Sequence, residues 1–580
     1  MHRDPKCNIK KHGGKGQIRE TVRTSKKLIY KTGTTVHKFI EQRDEGVEIS
    51  SSPVHLNDEY HTLLTHEAVQ FVASLVRRFD NQVSEMLNQR QLKKLHFKKT
   101  NELPDFLDTT TTHRFWQISP IPQRLRDRRI DLGDITPANT ELFKRALNSS
   151  ACGIQTDLDD GHCPTWSNQL KGLYNIYQFV HGHMSGVPTI ANAPLMILRP
   201  RAWNMLEHNV MIDGKVIPGP LFDFGLHIFH NGRKMLEGGD GPFLYLSKLE
   251  SHLEVRLWND IFTWAEEQLG MPFGSIKACI LIESILASFE LEQILFEIRD
   301  HCAGINCGMW DYSASFINTF GHRKEFILPD RKKYVSMDKQ YLKSYLELVI
   351  KTCHAHGCHA TGGMVPVILP QNDQHKCHQI IQNVCRVKLK EIQAGADGFL
   401  VFDLDLIPPL QQMWKQSVPS VNQLHVLRKD VNVLAKDLLT LPKGGFTLDG
   451  LCSNISVGIL FIQAWLQGKG SFILNGCVED SATAEISRSQ IWQAVRHQCV
   501  LEDDSRKVTR ALVGDLIHRI TGELTSQSKS DVEKEQIKVS SQLLEELVFS
   551  REFPLFITTY LYENHIFIEY KKGRNNHFIV

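Results

Sequence analysis

The chain has 580 residues, 42% of them hydrophobic and 23% charged, with a formal net charge of +2. That balance makes no global case for a nucleic-acid partner, and no run of about 18 apolar residues offers a membrane-spanning helix; the apolar stretch 278–289, interrupted by Glu283, comes nearest. The length exceeds what one core holds, so two to four domains are expected, and 13 cysteines without paired spacing point to a reduced intracellular setting.

Residues 1–40 carry eleven Lys or Arg against Asp4 and Glu20, with almost no apolar periodicity. This reads as a solvated basic tail over 1–56, although a mitochondrial address has the same basic, acid-poor composition. Apolar groups at 68, 72, 75, 76 and 79 predict a helix over 65–79 with Thr65 as its N-cap. A second helix follows at 81–97, giving an N-terminal helical domain over 57–149. From 150 to 420 apolar strands alternate with amphipathic helices. Strands are expected at 152–156, 195–198, 243–247, 277–282, 303–306, 358–364 and 397–402, and helices at 220–236, 250–268, 286–300, 338–356 and 376–393. The segment 160–194 has room for extra strands outside this pattern. Such alternation predicts an α/β fold with a parallel sheet, and seven or so repeats in about 250 residues favour a (β/α)8 TIM barrel. Beyond the break at Leu441-Pro442-Lys443-Gly444-Gly445, helices at 455–467, 484–498, 507–522 and 532–548 predict a helical domain within 421–580. The stretch 555–570, rich in Phe, Ile and Tyr, has a strand-like composition.

In a barrel, function gathers where strands end at their C-terminal side. Arg199 follows the strand 195–198, Glu283 follows 277–282, and Asp311 stands behind a turn at Gly308 after 303–306. Asp157, Asp159 and Asp160 follow 152–156. Carboxylates without neighbouring His or Cys favour Mg²⁺ over zinc. Glu283 and Asp311 are the candidate ligands, with Asp157 and Asp159 orienting bound water; each acid taken singly also reads as a solvated or helix-capping carboxylate. A fixed guanidinium at Arg199 suits a developing oxyanion, and suits an interdomain salt bridge equally. Gly308 and the amides of Met309 and Trp310 suit a substrate carboxylate. Asp480 opens a helix, and reads either as its N-cap or as a general base brought in on a loop. The run Cys353 to His359 is too tightly spaced for its Cys and His residues to share one zinc ion.

At these residues the chain resembles the malate synthase family of the glyoxylate cycle, from about residue 60 to about 550. Gly304-Ile305-Asn306-Cys307-Gly308 with Trp310-Asp311-Tyr312, Arg199-Pro200-Arg201, Leu221-Phe222-Asp223-Phe224, Leu328-Pro329-Asp330-Arg331, and Glu479-Asp480 with Ala482-Thr483-Ala484-Glu485 match its motifs in the same order. The resemblance implies a (β/α)8 barrel with an N-terminal helical clasp, an inserted β-rich segment and a C-terminal helical plug. It implies condensation of glyoxylate with acetyl-CoA, then hydrolysis of malyl-CoA to malate. It makes Glu283 and Asp311 the Mg²⁺ ligands, Arg199 a catalytic arginine and Asp480 the base. It also implies a peroxisomal (glyoxysomal) setting. The ending His577-Phe578-Ile579-Val580 is not the Ser-Lys-Leu-type address, which leaves mitochondrial and cytoplasmic settings open. Three motifs depart from the family pattern. Asp-Phe-Glu-Asp-Ser is here Asp157-Leu158-Asp159-Asp160-Gly161, Arg-Gly-Trp-His is Arg201-Ala202-Trp203-Asn204, and Asp-Gly-Thr-Trp-Val-Ala-His-Pro is Asp397-Gly398-Phe399-Leu400-Val401-Phe402-Asp403-Leu404. Alternative readings are therefore a CoA-binding or interaction protein without turnover, and a synthase or lyase acting on another 2-oxo acid.

Overall fold

The computed structural model describes residues 40–108, 115–239, 241–554 and 556–566; the basic segment up to residue 39 and the last fourteen residues, 567–580, lie outside them. In chain order the strands are β1 (Ile40–Asp44), β2 (Val47–Ser50), β3 (Ile130–Ile135), β4 (Gly153–Asp157), β5 (Leu195–Arg199), β6 (Leu206–Ile212), β7 (Lys215–Pro218), β8 (Phe243–Leu246), β9 (Lys277–Ile282), β10 (Cys302–Cys307), β11 (Ala360–Val365), β12 (Gly398–Val401), β13 (Phe472–Leu474) and β14 (Cys477–Glu479). Eight of them close into a barrel in the order β3-β4-β5-β8-β9-β10-β11-β12, and every pairing within it is parallel. Leu195, Ile197, Phe243, Tyr245, Cys279, Leu281 and Ala303 form a compact apolar cluster of their own. Their alternating neighbours, such as Met196, Leu198, Leu244 and Ile280, join the larger core with the surrounding helices. This two-sided burial is why the strands read as continuous apolar runs.

The barrel's first strand, β3, lies ahead of residue 150, where the sequence places the start of the barrel. Its sequence, Ile-Asp-Leu-Gly-Asp-Ile, is wholly buried yet holds two acids, so it does not look like a core strand. Asp131 is neutralised by the buried Arg128, which also donates to the Tyr245 hydroxyl at 2.6 Å. No strand forms in 160–194. Helix Trp166–Val180 runs there, capped by the Thr165 hydroxyl, which accepts from the Asn168 amide at 3.2 Å. The extra strands are β6 and β7, which join β1 and β2 in a four-stranded sheet.

The two N-terminal helices are one, His66–Thr100, with Thr65 as N-cap. Its buried stripe continues past the polar stretch at 80–82 through Val83, Arg90 and Phe97. Near the C-terminus, helices Leu448–Leu466, Ser481–His497, Arg510–Gln527 and Asp531–Phe549 occupy the predicted positions to within a few residues, apart from an earlier start for the first, around an apolar cluster distinct from the barrel's. Leu448–Leu466 has 19 residues and a mean hydropathy of 1.2, long and apolar enough to cross a membrane, where the sequence reading found no such segment. It is the core helix of this cluster, 67% buried, and its scattered Asp, Asn, Ser and Gln hide the apolar run from a residue-by-residue scan. Within 555–570 the described residues include a short helix, Ile557–Leu561, and no strand.

Candidate active site

The barrel's C-terminal strand ends assemble the site. Asp157 and Arg199 close β4 and β5 and stand opposite each other in register. Arg199 Nε and Nη2 donate to the two Asp157 oxygens, both at 2.7 Å. Nη1 donates to Asp160 Oδ2 at 2.9 Å, and Nη2 also donates to Asp134 Oδ1, at the end of β3, at 2.6 Å. Four of the five guanidinium N–H groups are thus engaged, and one on Nη1 remains. Asp157 accepts further from the amides of Asp159 and Gly161, so its carboxylate is turned towards the arginine. Asp159 accepts from Lys248 Nζ at 2.8 Å and from the Ser247 hydroxyl at 2.9 Å. Lys248, just beyond β8, also donates to Asp160 Oδ1 at 2.6 Å.

Glu283 follows β9, and Asp311 sits in the first turn of helix Met309–Phe320 after β10. The Lys248 amide donates to Glu283 Oε1 at 2.6 Å. Gly308 is the close approach that lets Glu283 in: a Cβ there would lie 2.8 Å from Glu283 Oε2. The two acids line a cavity of about 20 Å³ with Lys248, Ser284, Thr319 and Phe556, room for one water-sized guest. Burial pushes the Glu283 carboxyl up to about 7, against the pull of Lys248. Burial also drives Asp311 well above the carboxylate range, reinforced by Glu283, Asp160 and Asp480. Asp311 Oδ1 is buried without a hydrogen-bond partner. Among the described residues, Asp134, Asp157, Asp159, Asp160 and Asp311 share two cations, Arg199 and Lys248, an excess of negative charge before Glu283 is added. Two hard carboxylates with an orphaned oxygen suit Mg²⁺, which takes one or two protein carboxylates and fills its remaining positions with water or substrate. Among the described residues no set of three His, Cys, Asp or Glu gathers in metal-binding geometry, so a third such ligand is not supplied.

Asp480 comes from outside the barrel. The hairpin β13–β14 docks on the loop after β11 by backbone bonds, Ile368 N–H to the Gly476 carbonyl and Val478 N–H to the Pro366 carbonyl, both at 2.8 Å. Asp480 follows β14 as N-cap of helix Ser481–His497, its Oδ1 accepting from the Thr483 amide at 3.0 Å. The capping role is therefore real. Ser481 Oγ donates to Asp160. Met309 and Trp310 open their helix, where first-turn amides lack intrahelical acceptors and favour anions. Arg331 lies over the Trp310 ring at 5.3 Å and reaches Glu479 at 3.5 Å.

Asp157, Asp159, Arg199, Glu283, Gly308, Met309, Trp310 and Asp311 therefore lie at this end of the barrel, and Asp480 is brought to it. Sequence reasoning missed Lys248, Asp134 and Ser481. Lys248 was legible, because it directly follows a predicted strand. Asp134 was hidden with β3. The Cys353–His359 run holds no metal cluster: His354 pairs with Asp397 at 2.9 Å, and His356 stacks on Trp116 with ring centroids 3.7 Å apart. Asp397 and Asp403, in the altered motif, hold backbone: Asp397 accepts from the amides of Ala360 and Gln423, Asp403 from those of Leu369 and Asp405.

Comparison with known proteins agrees with this geometry. Three family models match: malate synthase N-terminal domain over residues 55–112, malate synthase TIM barrel domain over 195–441 and malate synthase C-terminal over 446–565. The malate synthase of Myxococcus xanthus is 39% identical over 515 residues, covering 87% of this chain and 94% of that protein. That of Dictyostelium discoideum is 36% identical over 536 residues, covering 89% and 97%, and the glyoxysomal malate synthase of Glycine max is 36% identical over 520, covering 85% and 91%. The chain belongs to the malate synthase family.

Proposed function

We propose that this chain is a working malate synthase, condensing glyoxylate with acetyl-CoA and hydrolysing malyl-CoA to malate and CoA. The observation that carries this reading is the docking of the segment that bears Asp480 at the barrel mouth: the adjacent Ser481 donates to Asp160 of the Arg199 cluster, and Glu485 of the same helix lines the Glu283–Asp311 cavity.

The methyl group of acetyl-CoA is a very weak acid, so a carboxylate removes its proton only if the resulting enolate is stabilised. Asp480 is the base. The remaining Nη1–H of Arg199 meets the thioester oxygen as negative charge develops there. Because Asp134, Asp157 and Asp160 hold that guanidinium on three sides, it is oriented before substrate arrives, and little reorganisation is needed. Gly308 and the amides of Met309 and Trp310 hold the glyoxylate carboxylate. Glu283 and Asp311 would hold Mg²⁺, which when bound polarises the glyoxylate aldehyde. Phe556, from the C-terminal segment, lines the cavity beside the carboxylate pair.

The test is Mg²⁺-dependent release of free thiol from acetyl-CoA and glyoxylate by the purified protein. Absence of release at saturating Mg²⁺ overturns the reading, and faster release with a different 2-oxo acid reassigns the substrate. Asp480→Asn is expected to stop solvent exchange of the acetyl-CoA methyl protons while Mg²⁺ still binds; persistent exchange removes Asp480 as base. The glyoxysomal name of the soybean relative supports a peroxisome-class compartment for this chain.

A further inference from the structure

We propose that Lys248 is a positioning residue for the cation ligands: its backbone, held in a left-handed turn by its own side chain, presents the N–H that orients Glu283. This rests on the reading of Glu283 and Asp311 as the Mg²⁺ pair.

Leu246 stands opposite Ile280 in the β8–β9 ladder. Were that ladder to run on, Lys248 would stand opposite Ile282 and its amide would serve the sheet. Instead Lys248 has φ = +53°, a left-handed conformation shared in this cluster by Asp134, φ = +55°, near the end of β3. L-residues avoid this region, and such outliers in ordered structure gather at functional sites. The turn takes the Lys248 amide out of the ladder and aims it at the Glu283 side chain, whose Oε1 accepts at 2.6 Å. Among the described residues this is the hydrogen bond that holds the carboxylate, and its other oxygen lies against Gly308.

If a turn were all that this position required, glycine would adopt it at no steric cost. The lysine side chain is 7% exposed, and its Nζ donates to Asp159 Oδ2 at 2.8 Å and to Asp160 Oδ1 at 2.6 Å, with Asp311 Oδ2 at 3.9 Å. Charge-assisted bonds of this kind are strong where water is excluded, and they hold the unfavourable backbone in place. The Lys248 carbonyl accepts from Arg90 Nη2 at 2.9 Å, and Glu254 fixes that guanidinium through bonds of 2.7 and 2.6 Å. N–H, C=O and ammonium are therefore tied to three separate parts of the chain: the end of β9, the helix His66–Thr100 and the loop after β4. Glu283 takes its direction from a residue locked on three sides.

Lys248→Gly and Lys248→Ala both remove the ammonium, so a difference between them reports the backbone alone. Glycine keeps the left-handed turn without an anchor, whereas unanchored alanine relaxes out of it. Mg²⁺ titrated calorimetrically into the purified full-length protein, without substrate, is expected to bind Lys248→Gly about ten-fold more tightly than Lys248→Ala. Lys248→Asn, uncharged but tolerant of the left-handed region, should lie within about three-fold of the glycine variant. A purely structural role would lower the urea midpoint of the alanine variant and leave the Mg²⁺ affinities of the folded proteins equal. Equal affinities for the glycine and alanine variants therefore overturn the proposal. If Lys248→Ala does not fold, glycine and asparagine variants that bind Mg²⁺ as tightly as wild type sustain the proposal, and a loss of about ten-fold in both overturns it. A wild-type protein that takes up no Mg²⁺ overturns the reading of Glu283 and Asp311 as ligands instead.

Discussion

With four of its five N–H groups bound to acids, Arg199 has one donor left for substrate and no freedom to turn. Removing an oxyanion donor of this kind typically costs about 3–4 kcal/mol of barrier, so Arg199→Ala should lose roughly a hundred-fold or more in kcat. Arg199→Lys should recover little, because an ammonium cannot span Asp134, Asp157 and Asp160 at once; near-normal turnover in either variant would count against the mechanism. Gly308 offers a gentler probe. A methyl group 2.8 Å from Glu283 Oε2 forces that carboxylate aside. Gly308→Ala should therefore weaken Mg²⁺ binding roughly ten-fold or more, while global unfolding in urea barely shifts. Unchanged Mg²⁺ affinity by calorimetry would mean that Glu283 is not a ligand. Residues of this kind were legible in the sequence because each stands just past an apolar run. Asp134 was not, because its backbone conformation is a property of the folded chain.

At the scale of elements, the visible strands were those with unbroken apolar stretches, such as Leu195–Arg199 and Lys277–Ile282. β3 escaped because it holds two acids, of which Asp131 is neutralised by the nearby Arg128 but Asp134 only by the distant Arg199. The long helix His66–Thr100 was split in the sequence reading at Asp80-Asn81-Gln82, a polar stretch that falls where one turn has no deep contact. Its start was correctly placed from Thr65, whose hydroxyl accepts from the Ala68 amide at 3.2 Å. Thr65→Ala should cost about 1 kcal/mol locally. The reporter is hydrogen exchange: amides of the first turn should exchange roughly five-fold faster, with those near Phe97 unaffected. Equal rates in both proteins would show that tertiary packing, not the cap, fixes that end.

For the whole molecule, fold class and site location followed from strand–helix alternation and strand-end acids, whereas the delivery of Asp480 required the docking of two distant segments that no local pattern encodes. Buried histidines give the molecule a pH dependence of known sign. Burial holds His162 at about 3 and His227 and His359 at about 4, against about 6.5 in an unfolded chain. Each stays neutral in the fold and takes up a proton on unfolding. Its contribution is complete above pH 6.5 and declines by up to about 1.4 kcal/mol per pH unit between 6.5 and its folded value. Raised carboxyls at the active site act in the opposite direction, so the histidine effect is read by difference. The stability of wild type minus that of His227→Gln, from urea unfolding, should fall as pH drops from 6.5 to 4; a constant difference would place a charged or solvated imidazole at 227.

The hairpin β13–β14 meets the barrel through a short row of main-chain bonds at Pro366, Ile368, Gly476 and Val478. On the proposed mechanism, cation holding lies on one side of a non-covalent seam and proton abstraction on the other. Damage anywhere along that seam would mimic deletion of Asp480: glyoxylate and metal would still load, and carbon–carbon bond formation would stop.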